Sequence, residues 1–157
     1  MTVTMRSTLR VIWMVVAILG LSASAPAQTD VASPLGHWIT IDDGTKKPRS
    51  IVLLWAKNGV VYGTIESIFP EPGQPPDPVC EKCEGYLKNK PIKGMLFMWG
   101  LTKDGREWSG GRVVDPQSGS VYKVWIEVVD GGKRLKVRGY LGVSLFGRTQ
   151  YWERQTS

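Results

Sequence analysis

From residue 36 onward the chain is a succession of short β-branched and aromatic runs separated by glycine-containing turns, and no long segment repeats apolar residues at spacings of three and four. This pattern calls for an all-β fold, because only a two-residue period places alternate side chains on one face of a pleated strand. Strands are predicted over 36–41, 49–57, 60–68, 92–101, 107–114, 120–129, 133–140 and 145–154. Asn58-Gly59 between two apolar runs is the strongest hairpin signal, since a type I′ turn needs positive φ at both central residues. Asp104-Gly105, Asp115-Pro116 with Ser118-Gly119, and Asp130-Gly131-Gly132 mark three more turns. Strands joined by tight turns pair antiparallel. A meander of about eight of them leaves two exposed edges unless it closes, and closure into a single up-and-down barrel removes both.

Face patterns refine this expectation. Over 120–129 the even positions Tyr122, Val124, Ile126 and Val128 are apolar, while Lys123, Trp125 and Glu127 mix on the other face, so one face packs and the other meets polar surroundings. Over 51–56 and 95–99 both faces are apolar, which fits burial on two sides, a ligand cavity or contact with another subunit. Between the third and fourth strands runs a loop in which Pro70, Pro72, Pro75, Pro76 and Pro78 lead into Cys80-Glu81-Lys82-Cys83 and Gly85. A loop this long inside a compact domain is usually either functional or disordered, and here it is expected to form part of a barrel entrance.

The N-terminus has the three parts of a secretory signal peptide: Arg6 and Arg10, an apolar run, and small residues ending in Ala25-Pro26-Ala27, with cleavage expected before Gln28. The apolar run over 11–21 is shorter than the roughly 20 residues of a spanning helix, and no cysteine follows it as a lipid acceptor. The expected organisation is a signal peptide over 1–27, a flexible segment over 28–35 and one barrel domain over 36–155, exported to the periplasm or beyond. The 130 residues after cleavage suffice for one domain with its own core. With Arg6 and Arg10 removed, 18 basic residues face 14 acidic ones, a mild excess spread along the chain. That distribution argues for solubility and against a nucleic-acid partner, and leaves peripheral association with an anionic envelope open.

Gly36-His37-Trp38 opens the first strand and Arg148 and Arg154 lie in the last, which resembles the lipocalin arrangement of a Gly-x-Trp at one barrel end crossed by an arginine. The indole plugs the barrel and the guanidinium stacks on it. A broader set of motifs includes Asn58-Gly59-Val60-Val61-Tyr62-Gly63, Cys80-x-x-Cys83-x-Gly85, Lys90-Pro91-Ile92-x-Gly94-Met95, Trp108-x-Gly110-Gly111 and Leu145-Phe146-Gly147-Arg148-Thr149-Gln150-x-Trp152-x-Arg154. In that order they resemble the secreted bacterial domain-of-unknown-function 2147 family, with a departure only in the turn at Gly44-Thr45-Lys46-Lys47. The resemblance implies an exported, lipocalin-like barrel without an established activity, and so carries over no catalytic residues.

Chemistry-bearing residues are few. For Cys80 and Cys83 an oxidising compartment makes a structural disulfide the default, worth about 2 kcal/mol by loop entropy for so small a ring. A redox-active pair would want a helix N-terminus, where this chain has prolines. A zinc site would want four ligands, and His37 is the single histidine. Free thiols are the remaining reading. His37 beside Trp38 is more readily a barrel-end residue than a catalytic base, and most aspartates fall in turns. Glu66 and Glu127 lie mid-strand, either as interior anchors or as solvated side chains. No catalytic constellation, metal or cofactor is expected. The candidate ligand-binding set is Trp38, Trp99, Arg112, Lys123, Trp125, Arg138 and Arg148, which would line a cationic, aromatic cavity for a small amphipathic or anionic ligand, or else point outward. The alternatives are a thiol redox protein using Cys80 and Cys83, and an interaction module burying its apolar outer faces in a homodimer or an envelope partner.

Overall fold

The computed structural model describes residues 33–156, so the expected signal peptide and its cleavage site lie outside the described residues. Eight antiparallel strands form one closed barrel in sequence order: β1 (Gly36–Ile41), β2 (Pro48–Lys57), β3 (Val60–Ile68), β4 (Leu96–Asp104), β5 (Glu107–Val114), β6 (Val121–Val129), β7 (Arg134–Tyr140) and β8 (Gly147–Arg154). Closure is made by β1 against β8, where Trp38 pairs with Arg154 and Ile39 with Glu153. The remaining described residues form turns, loops and two short 3₁₀ turns, at Gly85–Leu87 and Asp130–Gly132.

Turn chemistry accounts for the register. Asn58 and Gly59 both take positive φ, 52° and 78°, as a type I′ turn demands, and β2 then pairs with β3 from Lys57↔Val60 upward. Two strand starts differ from expectation by more than one residue. β4 begins at Leu96 rather than residue 92, because the Ile92 amide bonds to the Pro78 carbonyl in the loop and the Gly94 amide to the Ile65 carbonyl of β3, which holds this stretch in a turn before the ladder begins. β8 begins at Gly147 rather than residue 145, which leaves 141–146 as a loop.

The two ends of the barrel differ. The turns β2–β3, β4–β5 and β6–β7 lie at the end that Trp38 fills; the four longer connections, 42–47, 69–95, 115–120 and 141–146, gather at the other. Trp38 is fully buried and its indole N–H donates to the Pro34 carbonyl at 2.8 Å. The Arg154 guanidinium lies 4.1 Å from the Trp38 ring centre and donates to the carbonyls of Gly132, Leu35 and Ser33. The crossing arginine is therefore Arg154, not Arg148. The last residues of the segment expected to be flexible, Ser33 to Leu35, are here tied to the barrel floor, with Pro34 buried. Above this plug, Leu54, Val61, Met98, Leu101, Trp108, Ile126 and Leu135 pack the lower half, and no polar or charged residue among those described is buried.

Candidate functional site

The upper half is hollow. A cavity of about 1790 Å³ opens between the four long connections, and its inner wall is formed by Val52, Ile65, Phe97, Val113, Tyr122, Val137 and Trp152. Strand alternation produces this wall. Residues paired directly across antiparallel strands share a face, so Val113↔Tyr122 carries the inward face from β5 to β6 and Leu135↔Trp152 carries it from β7 to β8. In β4, a register shift opposite Gly63 and Thr64 turns both Phe97 and Met98 inward, and Phe97 lies against Trp152 with ring centres 6.1 Å apart. The Trp152 indole N–H is buried, with no hydrogen-bond partner among the described residues.

Charge is confined to the rim. Asp42 accepts from the Thr45 and Gly44 amides and from the Thr45 hydroxyl, and meets Arg49 at 3.1 Å. The Thr45 amide and hydroxyl bonds, with smaller help from the Gly44 amide and Arg49, hold its carboxyl below the usual range. Asp43 accepts from Arg148 and from the Gln150 amide at 3.1 Å, which pins the β1–β2 loop to β8.

The Pro-rich loop forms one side of the mouth, with Phe69, Pro72, Pro75, Pro78, Glu81 and Lys82 lining it. Cys80 and Cys83 are joined in a disulfide, both buried, with their Cα atoms 5.4 Å apart. The segment is fastened at three further places. The Cys80 amide donates to the Lys90 carbonyl and the Asn89 amide to the Cys80 carbonyl, Val79 bridges Pro91, and the backbone of Lys82 sits directly on Gly119 of the β5–β6 turn. Cys80 Sγ lies 3.3 Å from the Pro116 carbonyl oxygen. The half of the loop after Pro78 is thus a clamp on the next hairpin, while the half before it rims the opening.

The candidate ligand-binding residues are dispersed. Only Arg148 lines the cavity, at its rim. Trp38 is the plug at the opposite end. Trp99, Arg112 and Lys123 are paired in one lateral row across β4, β5 and β6 that faces outward, since Val124 beside Lys123 is fully buried. Trp125 and Arg138 pair on the same outer surface. The Trp125 indole donates to the Ser144 hydroxyl, and Arg138 donates to the carbonyls of Ser144 and Leu145 and to the Thr149 hydroxyl. A cationic, aromatic interior is therefore replaced by an apolar one with a mixed-charge rim. Glu66 and Glu127 also face outward, Glu66 toward His37 at 2.9 Å and Glu127 toward Arg106 and Lys136. The outer apolar residues of β2 and β3 cover one another: Trp55 stacks on Tyr62 at 4.8 Å and donates to the Thr64 hydroxyl. Phe97, Tyr122, Val137 and Trp152 were not singled out as site residues. The alternation that put Tyr122 and Val124 on one apolar face was the signal that could have found them.

A model of the family DUF2147, described as an uncharacterized protein conserved in bacteria, matches residues 36–154. No curated protein matches the chain. Among solved structures, protein HP1028 from the human pathogen Helicobacter pylori, described as belonging to the lipocalin family, is similar with a TM-score of 0.67 at 24% identity, covering 79% of this chain and 84% of that one. At that identity the likeness speaks for the lipocalin-like fold.

Proposed function

The chain belongs to the DUF2147 family, and we propose from the geometry of its barrel that it carries a small, largely apolar molecule in the open half. The observation that carries this reading is the cavity of about 1790 Å³ with an apolar wall and no buried charge, a volume above the roughly 300–1,000 Å³ of ordinary small-molecule sites. A lipocalin-like barrel is a fold suited to such binding, and a disulfide fits a periplasmic or extracellular place of work. The burial of Cys80 and Cys83 favours a structural clamp over thiol exchange, because an attacking thiolate needs access to a sulfur atom.

The test is native mass spectrometry of protein purified from its own envelope, paired with titration of N-phenyl-1-naphthylamine, an uncharged probe that fluoresces in apolar surroundings. A co-purifying small molecule, or saturable probe binding that Val137→Trp weakens by pushing an indole into the cavity from its wall, supports the proposal. A bare polypeptide mass together with no saturable probe binding overturns it.

A further inference from the structure

The loop between β7 and β8 presents Leu141, Val143, Leu145 and Phe146 to solvent, with 83% of Leu145 and 77% of Phe146 exposed. This is not a loop that has failed to pack. Arg138 holds its carbonyls at Ser144 and Leu145, Trp125 holds the Ser144 hydroxyl, and the Phe146 amide closes a turn onto the Val143 carbonyl. The backbone is anchored while the apolar side chains are turned outward, and Leu141, Leu145 and Phe146 stand at the lip of the cavity.

The flanking surface has the matching charge. Lys123 is paired with Tyr140, the residue before the loop, and Arg112 lies next to Lys123 in the same outward row, with the half-buried Trp99 beyond it. Among the described residues, neither Arg112 nor Lys123 has an ion-pair partner, so both charges are available to an external anion. Projecting apolar side chains beside free cations and a tryptophan are what binding to an anionic lipid interface requires: the apolar groups enter the acyl boundary and the cations meet the headgroups. A protein partner would be served by the apolar loop but would not require the unpaired basic row beside it.

We propose that the mouth of the barrel docks on an anionic lipid surface through residues 141–146, with Arg112 and Lys123 against the headgroups, so that the cavity opens toward the bilayer. Docking rests on the exposed loop and its basic flank alone; passage of a ligand between bilayer and cavity rests also on the proposed carrier function.

The experiment is vesicle flotation with the chain from Gln28, which contains the whole closed barrel. Phosphatidylethanolamine–phosphatidylglycerol vesicles are compared with phosphatidylcholine vesicles, at low and high salt. Expected is binding to the anionic vesicles that weakens with salt. It should fall about ten-fold or more in Leu145→Ser/Phe146→Ser, which removes two exposed apolar side chains, and by a similar factor in Arg112→Glu/Lys123→Glu. The charge variant leaves the loop intact, so a folding defect in one pair does not blunt the other. Absence of binding to anionic vesicles overturns the proposal, as does binding that both variants leave unchanged. Concentration-dependent self-association that Leu145→Ser/Phe146→Ser abolishes, without vesicle binding, also overturns it in favour of an interface between copies. Probe binding measured without vesicles distinguishes a failure of docking from a failure of the carrier reading.

Discussion

The seating of the disulfide segment on the β5–β6 turn can be tested at one residue. Gly119 has φ of 72°, and a Cβ there would lie 2.0 Å from the Lys82 carbonyl oxygen, 2.3 Å from its carbon and 2.8 Å from the Cys83 nitrogen. Gly119→Ala therefore meets two separate penalties. The left-handed backbone costs an alanine roughly 1–2 kcal/mol. The overlap is with backbone rather than with the end of a flexible side chain, so the Lys82–Cys83 segment must move or strain, at roughly 1–3 kcal/mol. Gly131 supplies the control, because its φ is 63° and a Cβ there meets nothing within 4 Å. Gly131→Ala carries the first penalty only. The difference between the two variants isolates the contact at roughly 1–3 kcal/mol, a separation in Tm on the order of 5–10 °C for a domain of this size. Thermal unfolding followed by near-ultraviolet circular dichroism measures it. Amide exchange locates it: the Cys80, Asn89 and Ile92 amides, bonded within the loop, should lose protection in Gly119→Ala while the β2–β3 ladder keeps its own. Equal melting temperatures for the two variants, with unchanged exchange in the loop, would refute the clamp.

Three other outcomes follow from the same geometry. Arg154→Ala should lose about 3 kcal/mol by removing the stack on Trp38 and three bonds to carbonyls, with Arg154→Lys recovering only a minor part, since an ammonium cannot reproduce the planar fork; urea unfolding checks this. Trp152→Phe removes a buried, unpaired N–H donor along with part of the ring, so the relief of an unsatisfied polar group offsets the lost packing and the variant should lose less than the roughly 3 kcal/mol of an ordinary large-to-small core change, as urea unfolding would show. Asp42 has a lower carboxyl pKa folded than unfolded, so as pH falls the unfolded chain takes up the proton first. Its contribution is complete above the ordinary value of 3.8 and is lost as pH drops through the lowered folded value. Asp42→Asn should therefore flatten the acid limb of the stability curve below about pH 4 and leave neutral pH less affected, as acid titration at fixed denaturant would show.

How far the structure could be read from the chain depended on whether a residue's role was local. Asn58-Gly59 dictates its own φ angles, so that hairpin, and with it the meander, followed from sequence. Ile92 to Met95 looks like the start of a strand by composition, yet its amides and carbonyls are taken by Pro78 and Ile65, partners that only the folded loop brings near. The outward position of most candidate binding residues has a related cause. Arg112, Lys123, Trp125 and Arg138 stood out by their chemistry, although the apolar even positions of β6 already placed Lys123 and Trp125 outside, and pairing then places Arg112 and Arg138 with them. Carrying that parity around the barrel needs the bulges. The β5–β6 register shifts between Trp108 and Gly111, and the β3–β4 register shifts twice around Gly63. Each inserted residue inverts the face of everything after it on that strand. Arg148 belongs to the rim and Arg154 to the floor for the same reason in its simplest form: they share the inward parity of β8 and stand six residues apart, at opposite ends of an eight-residue strand, so one guanidinium meets Asp43 and the other the Trp38 indole.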